Sequence, residues 1–267
     1  MLTFQNYKRP QTLEEAWTLN QSKSARLAAG MMWMRMGDAQ IGTVVDLCGL
    51  GLDHLEETQD AFLIGAMVPL RKLETWEPFV RYTNGAVKEA LRHIIGVQLR
   101  NTATVGGSVW GRFGFSDVIT LLLAMDTLVV LYCGPKEGNR IMTLDDFTQE
   151  AADKPAGAIL TQIIVRKEKA VFDYRSVRRT ATDFPILTEA AAKLDDGSWR
   201  FAVGARPQIA IQVQVAPDLV TRDSMNEIIT TLCQNIETGT NIRGSAEYRT
   251  HLIGVLMERS IRKLTGI

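Results

Sequence analysis

The segment Arg100–Ser108, with the sequence RNTATVGGS, decides how the rest of this chain is interpreted. Its two adjacent glycines, Gly106 and Gly107, follow one helix-like run and begin another. Because glycine has no Cβ and adopts positive φ without strain, the backbone here can approach another group closely. Neighbouring N–H groups in such a turn form a concave nest for anions, and the start of a helix also attracts phosphate. A tight turn that only packs a helix against a strand contains the same glycine pair.

The segments on either side of the glycines favour the first of these alternatives. The helix-like run Val87–Ile95 precedes them, and Phe115–Asp117 and the apolar run Val118–Ala124 follow. This order resembles the FAD-binding medium subunit, the flavoprotein subunit, of the molybdenum hydroxylase family of xanthine dehydrogenase and carbon monoxide dehydrogenase. The family pattern is R-N-x-A-T-[IV]-G-G-[NS], then S-D and a leucine-rich helix. The positions that fill it here are Arg100, Asn101, Ala103, Thr104, Gly106, Gly107, Ser116 and Asp117.

A second part of the family pattern, L-A-G-G-[TH]-[DS]-L, lies earlier in the chain, where a short strand runs into Gly30. The resemblance implies that this first flavin loop (Ala28–Met32) and a second flavin loop (Thr104–Ser108) hold the FAD pyrophosphate, mostly through backbone N–H groups. Ala29 replaces a glycine of the pattern, and Met31 replaces a polar residue, as does Met32. These replacements leave three alternatives: the chain binds FAD more weakly, binds it in an altered pose, or has lost it.

The methionines have a second interpretation that does not involve a cofactor. Five large residues occur within six positions, and they could form a flexible apolar patch that fills gaps in the structure. These residues are Met31, Met32, Trp33, Met34 and Met36.

Three further positions carry family roles. Asp117 matches an acid that contacts ribityl or ribose hydroxyls of the cofactor, although it could instead cap the helix Val118–Met125. Leu160 matches a leucine whose backbone contacts the flavin edge, although it could be an ordinary core residue. The resemblance also places Tyr174 at the cofactor. The candidate cofactor-binding residues are Ala28, Ala29, Gly30, Met31, Met32, Thr104, Gly106, Gly107, Ser108, Asp117, Leu160 and Tyr174.

Composition excludes several other classes of protein. The 267 residues are 46% hydrophobic and 22% charged, which is typical of a globular chain with two or three small domains. Thirty acidic and thirty basic residues cancel, which argues against nucleic acid as a partner. The longest apolar runs, such as Leu121–Met125, are too short for a membrane span. The N-terminal segment lacks the apolar core of a signal peptide.

The cysteines predict a reduced, cytoplasmic protein. Cys48, Cys133 and Cys233 are widely spaced, and an odd number does not make a disulfide framework. Three cysteines also argue against an iron–sulfur cluster held by this chain, since four cysteine ligands would be needed. The sequence also contains no P-loop, zinc pattern or catalytic triad pattern. We name no acid–base catalyst, because the flavin ring itself carries the redox chemistry.

The C-terminal third predicts a small sheet. Three strands follow one another there, Ile186–Leu194, Trp199–Gly204 and Gln208–Val215. The segment Asn241–Arg249, NIRGSAEYR, resembles the family ending D-x-R-G-S-A-E-Y-R, with Asn241 in place of the aspartate. This ending could hold the last helix and the loop before it, or it could contact a partner chain.

The resemblance extends from about Phe4 to about Lys263 and implies an α+β architecture. Two FAD-binding subdomains, 1–55 and 56–165, precede a C-terminal domain, 166–267, with a three-stranded antiparallel sheet and helices. The implied partners are a large molybdopterin-binding subunit and a small subunit with [2Fe–2S] clusters. The flavin would pass electrons to NAD⁺, oxygen, a quinone or another carrier. Two alternatives remain: a structural subunit that has weakened or lost FAD, and a stand-alone flavin oxidase.

Overall fold

Residues 1–149, 157–217, 219–221 and 223–266 are described by a computed structural model. The strands are β1 (Thr3–Lys8), β2 (Ala25–Ala28), β3 (Gln40–Asp46), β4 (Leu55–Glu57), β5 (Ala61–Gly65), β6 (Thr127–Tyr132), β7 (Asn139–Thr143), β8 (Ile159–Arg166), β9 (Ala170–Val177), β10 (Leu187–Leu194), β11 (Trp199–Gly204) and β12 (Ile211–Val215). The α-helices are α1 (Leu13–Asn20), α2 (Leu70–Glu74), α3 (Glu77–Tyr82), α4 (Ala86–Arg92), α5 (Val97–Arg100), α6 (Val105–Trp110), α7 (Asp117–Leu123), α8 (Leu144–Gln149), α9 (Met225–Asn235) and α10 (Ala246–Thr265). A short 3₁₀ helix spans Met34–Met36.

The chain forms two compact units that interleave along the sequence. The first unit contains Met1–Leu73, Val97–Gly111 and Thr127–Arg166, and the second contains Glu74–Gly96, Arg112–Asp126 and Lys167–Ile267. The three sequence-based domains, 1–55, 56–165 and 166–267, divide the chain differently and stay a prediction. Within the described ranges, no helix combines the length and the apolar composition that a bilayer crossing requires.

The first unit contains a small parallel sheet with the strand order β1-β3-β2. Helix α1 connects β1 to β2, and its buried Ala16 packs against Ala25, Val45 and Leu47 of the sheet region. Because all three strands are parallel, the loops that leave their carboxyl ends lie at one edge. The end of β2 is fixed there, since Leu47 N donates to Ala28 O at 3.0 Å. This edge is the usual ligand side of a parallel sheet.

The same unit contains a five-stranded antiparallel sheet with the order β4-β5-β8-β6-β7. Its central strand, β8, carries the fully buried Ile163 and Val165, as expected for a strand covered on both sides. The register of β8 with β6 shifts between Val130 and Leu131. Such an irregularity bends a strand and changes the direction of its side chains.

The second unit contains a four-stranded antiparallel sheet with the order β12-β11-β10-β9. The prediction of three strands is therefore wrong, although the α+β class is confirmed. The missed strand, β9, pairs with β10 along its whole length, from Ala170 opposite Leu194 to Val177 opposite Leu187. Its charged Asp173 is 2% exposed. A buried charge in the middle of a strand breaks the apolar alternation by which strands are found in a sequence.

Helices cover both faces of this sheet. On one face, Leu187, Trp199 and Phe201 form a core with residues of α9 and α10. On the other face, α7 packs against β10 and β11, where Thr120 bonds Thr188 at 2.9 Å between hydroxyl oxygens. The sheet is therefore the central layer of three.

The C-terminal motif Asn241–Arg249 connects the start of α10 to other parts of the second unit. Ser245 caps α10 by accepting from Tyr248 N at 3.2 Å. The fully buried Arg249 donates to the carbonyl oxygens of Ile186 (2.9 Å) and Gly239 (2.6 Å), and to Oδ1 of Asn241 (2.6 Å). All of these acceptors are uncharged, and burial lowers the pKa of Arg249. Of the two sequence-based alternatives, the described contacts support an internal role.

We predict that Asn241→Asp stabilises the chain by about 1 kcal/mol, because a carboxylate accepts from a guanidinium roughly twice as strongly as an amide oxygen does. Urea denaturation measures the change. Asn241→Ala is the opposing control, and it should destabilise the chain by about 1–3 kcal/mol, since Arg249 then loses an acceptor. Equal midpoints for the Asp and Ala variants would refute this assignment.

A second buried polar group lies between β10 and α10. Glu189 is fully buried, and its Oε2 accepts from Ser260 Oγ at 2.7 Å, while Oε1 has no partner among the described residues. Ser260 Oγ also lies 3.1 Å from Asp173 Oδ2, and Asp173 is paired with Arg175 and Lys263. Burial raises the pKa of Glu189 to about 8. This carboxyl therefore keeps its proton in the folded chain at neutral pH.

We predict that Glu189→Gln stabilises the chain, and that the gain grows with pH. Between the usual glutamate pKa and about 8, the folded chain holds a proton on this carboxyl that the unfolded chain has lost. The free energy of unfolding of the unmodified chain therefore falls by about 1.4 kcal/mol per pH unit as the pH rises through that range. Glutamine has no such proton. Thermal midpoints from about pH 5 to about pH 8 measure the effect. Glu227→Gln, on the exposed side of α9, is the control. If the stability difference between Glu189→Gln and the unmodified chain does not change with pH, the assignment of a buried proton to Glu189 is ruled out.

Candidate functional site

The first flavin loop leaves the carboxyl end of β2, at the ligand edge of the parallel sheet. Gly30 lies against the backbone of Thr102, and a Cβ at position 30 would overlap the Thr102 carbonyl oxygen. Only glycine fits there, because every other residue carries a Cβ. The structure therefore brings the first flavin loop against the turn that leads into the second flavin loop.

The second flavin loop begins α6, and N–H groups of its backbone are bonded to other parts of the protein or to the loop itself. Thr104 caps the helix, since its Oγ1 accepts from Gly107 N at 3.0 Å. Gly106 N donates to Ala66 O at 2.9 Å, and Ser108 N donates to Thr104 O at 3.1 Å. These three N–H groups are thus engaged within the protein. A Cβ on Gly106 would lie 2.5 Å from Ala66 O, so this glycine is required by packing.

Gly107 differs from its neighbour. It is exposed, and a Cβ built on it would lie 3.0 Å from Thr104 Oγ1, with no other described atom within 4 Å beyond the adjacent residues and the backbone of α6 itself. Glycine inside a helix costs about 1 kcal/mol relative to alanine. The described residues leave room for a side chain here apart from that one contact. The space above Gly107 therefore suits a bound group that approaches the backbone.

The free donors are on the first flavin loop. Ala29, Gly30, Met31 and Met32 donate no backbone N–H bond to any part of the chain that the structure describes. Met31 has φ 53°, in the left-handed region. Consecutive N–H groups around such a residue make an anion-binding nest. A diphosphate accepts hydrogen bonds of this kind, so the donor set fits the pyrophosphate of FAD.

The methionines support the loop instead of lining it with hydrogen-bonding groups. Met31 and Met34 pack against a small core cluster of Ala28, Ile41 and Val44. The Sδ atom of Met32 lies 3.8 Å from Arg35 Nη1, and Met36 is 67% exposed. The apolar-filler interpretation therefore fits Met31 and Met34, whose side chains anchor the loop from one side.

Leu160 lies in the first unit, close to the second flavin loop. It is a buried residue of β8 and pairs with Leu131 next to the register shift. The following residue, Thr161, accepts from Ala66 N through its carbonyl oxygen at 2.9 Å. Ala66 is the residue whose carbonyl accepts from Gly106. Two backbone hydrogen bonds therefore connect the neighbour of Leu160 to the second flavin loop.

Asp117 and Tyr174 lie in the second unit. Ser116 caps α7, because its Oγ accepts from Ile119 N, so Asp117 is the first helical residue and not the cap. Asp117 is 5% exposed. Its Oδ1 accepts from Tyr174 Oη at 2.5 Å and from Arg178 Nη2. Its other oxygen, Oδ2, receives neither of these bonds.

The charge state of Asp117 depends on two opposing effects. Burial raises the pKa of this carboxyl to about 6, while the adjacent Arg178 guanidinium acts to lower it. Burial also raises the pKa of Tyr174 well above its usual range, so Tyr174 stays a neutral donor. The sequence analysis did not predict a role for Arg178, which is followed directly by a second arginine, Arg179.

Comparison with known proteins identifies the family. Residues 2–166 match the family described as FAD binding domain in molybdopterin dehydrogenase, which is more than half of the chain. The chain belongs to this family. The predicted family and the predicted cofactor, FAD, are confirmed, and the chain is an FAD-binding oxidoreductase component of the molybdenum hydroxylase type.

Two relatives illustrate the match. The medium subunit of nicotine 6-hydroxylase from Paenarthrobacter nicotinovorans is 27% identical over 280 residues, covering 96% of this chain and 95% of the relative. The uncharacterized protein YgfM of Escherichia coli K12 is 24% identical over 262 residues, covering 95% and 93%.

Solved structures share the fold. Quinoline 2-oxidoreductase from Pseudomonas putida 86 superposes with a TM-score of 0.86 at 19% identity, covering 98% of this chain and 96% of that chain. Reconstituted CO dehydrogenase from Oligotropha carboxidovorans gives 0.85 at 22% identity, covering 99% and 98%.

We predict that Gly107→Ala weakens FAD binding about tenfold, about 1.4 kcal/mol, because the added methyl group occupies the space above the backbone. Gly254→Ala in α10 is the matched control, since a Cβ there meets only Cys233 Sγ and Ile229 Cγ2 at 3.4 Å. FAD affinity is measured by fluorescence titration, and thermal unfolding verifies the fold.

Both alanine variants should keep their stability to within about 1 kcal/mol, since alanine favours a helix over glycine. Gly107→Val should lower the flavin content further than Gly107→Ala does. Equal FAD affinity in the Gly107→Ala and Gly254→Ala variants would contradict the assignment of this space to the cofactor.

Proposed function

We propose that this chain is the electron-transfer subunit of a three-subunit complex. The proposed partners are a large subunit with a molybdopterin centre and a small subunit with [2Fe–2S] clusters. Support comes from the family match and from relatives named as a medium subunit and a medium chain. When bound, FAD accepts electrons from the clusters and passes them to an external acceptor.

The run of four free N–H groups on the first flavin loop carries this proposal. These groups lie at the ligand edge of the parallel sheet, and they would hold the diphosphate of FAD. Gly107 leaves space for the cofactor against α6. The role of this unit is thus to bind and to orient a cofactor, so no side chain needs to move a proton.

The family pattern assigns cofactor contacts to three other residues. Asp117 would accept from a hydroxyl group of the cofactor through Oδ2, and Tyr174 fixes the carboxylate by donating to Oδ1. Leu160 lies beside the second flavin loop, and its backbone would contact the flavin edge. These assignments follow the family pattern, and each can be tested by its effect on FAD affinity.

A structural subunit with weakened FAD binding is the second candidate. The observation that favours it is the pair Met31 and Met32, which lack the hydroxyl and carboxylate groups of the family pattern. The engaged N–H groups of the second flavin loop also reduce the number of donors available. This candidate predicts a colourless chain that still assembles with both partners.

The decisive experiment is purification of the chain together with its two proposed partners, encoded by neighbouring genes. We expect the visible flavin bands to bleach when a substrate of the molybdenum subunit is added without an acceptor, and to return when an acceptor is supplied. The same chain without the [2Fe–2S] subunit is the control and should stay yellow. Bands that persist in the full complex would disprove electron transfer through this subunit, and a colourless complex would favour the structural candidate.

A further inference from the structure

Arg178 follows β9 directly, and three bonds fix its guanidinium. Nε donates to Ser176 Oγ at 3.2 Å, Nη1 donates to the Asp183 carbonyl oxygen at 2.7 Å, and Nη2 donates to Asp117 Oδ1. The side chains of Arg178 and Asp117 are each 6% exposed. A planar guanidinium held in this way presents a charge in one fixed direction.

We infer that Arg178 is a positioning residue, which keeps the Asp117 carboxylate ionised and turned so that Oδ2 accepts a hydroxyl group of FAD. This inference rests on the proposed role of Asp117 in binding the cofactor. Two donors, Arg178 and Tyr174, converge on the same oxygen, Oδ1. Neither of these donors occupies the second oxygen, Oδ2, which can accept from a ligand, and an ionised carboxylate is the stronger acceptor.

Stability alone does not account for this ion pair. Taking two charges out of water costs several kcal/mol per ion, and a buried pair often contributes little net stability compared with apolar residues. The pair is compatible with a requirement for a charged, oriented acceptor at this position. Burial by itself would favour the protonated form of Asp117. That form is a hydrogen-bond donor at one oxygen, so it has less capacity to accept than the carboxylate has.

Several other titratable groups on the neighbouring elements are neutral, face away from Asp117 or have partners of their own. Tyr174 is neutral, and Glu189 of β10 faces α10 on the opposite side of the sheet. Arg200 of β11 is paired with Glu168. His93, at the end of α4, is close enough to Arg178 that this cation, after burial and Arg92, helps to lower the histidine pKa. Strand β12 has no titratable side chain.

The test measures FAD affinity of the full chain from about pH 5 to about pH 9. Protonation of Asp117 should weaken FAD binding by up to tenfold per pH unit below its pKa, which is about 6 in the unmodified chain. Arg178→Met should move this weakening to higher pH by at least about one unit. Arg178→Lys keeps a charge without the planar fork, so the profile should move less and in the same direction.

A second measurement does not involve FAD. The carboxyl stretching band of Asp117, identified by its loss in Asp117→Asn, is titrated by infrared spectroscopy in the chain without cofactor. The band should titrate at higher pH in Arg178→Met. Arg178→Lys is measured in parallel, because removal of one partner of a buried pair destabilises a fold.

The possible outcomes separate the two assignments. If Asp117→Asn binds FAD as the unmodified chain does, the proposed role of Asp117 at the cofactor fails. If Asp117→Asn weakens binding while both Arg178 variants keep the unmodified pH profile and the unmodified titration of the Asp117 band, the role inferred for Arg178 is overturned.

Discussion

The close approach of Gly30 to the carbonyl group of Thr102 is the contact on which the cofactor site of the first unit depends. A side chain at position 30 would overlap that oxygen, so the first flavin loop could not lie against the second. The turn that leads into the second flavin loop is fixed by two backbone hydrogen bonds, since Leu70 N donates to Ala103 O at 2.8 Å and Gly106 N donates to Ala66 O. The second flavin loop therefore uses its backbone groups for construction, and the first flavin loop keeps its own free for a ligand.

This separation explains how methionine can replace polar residues at such a site. Backbone N–H donors do not depend on the side chain that accompanies them, so Met31 and Met32 preserve them. The left-handed conformation of Met31 costs about 1–2 kcal/mol. Its side chain compensates by packing against Ile41 and Val44. The loop thus combines a strained backbone with an apolar anchor.

The glycines and the order of the segments were enough to predict the family, the cofactor and the meeting of the two loops. They could not predict which loop has free donors, because the bond from Gly106 to Ala66 joins residues forty positions apart. Strand β9 was missed because its buried charge at Asp173 is neutralised by Lys263 of α10, a residue distant in sequence. The role of Arg178 depends likewise on a helix far from it in the chain. Local pattern identifies backbone features, whereas the pairing of buried charges becomes visible only in the fold.

The two buried carboxyls of the second unit show how packing decides charge. Glu189 faces α10 and has a serine as its hydrogen-bond donor, so burial prevails and the carboxyl keeps its proton. Asp117 faces a guanidinium, which opposes the same effect of burial. The approach of α7 that makes this pairing possible depends on a small residue in the sheet, since a Cβ on Gly204 would overlap Thr120 Oγ1. A larger residue at position 204 would have to displace the hydroxyl groups of Thr120 and Thr188. The charge of Asp117 is therefore set by packing within the second unit.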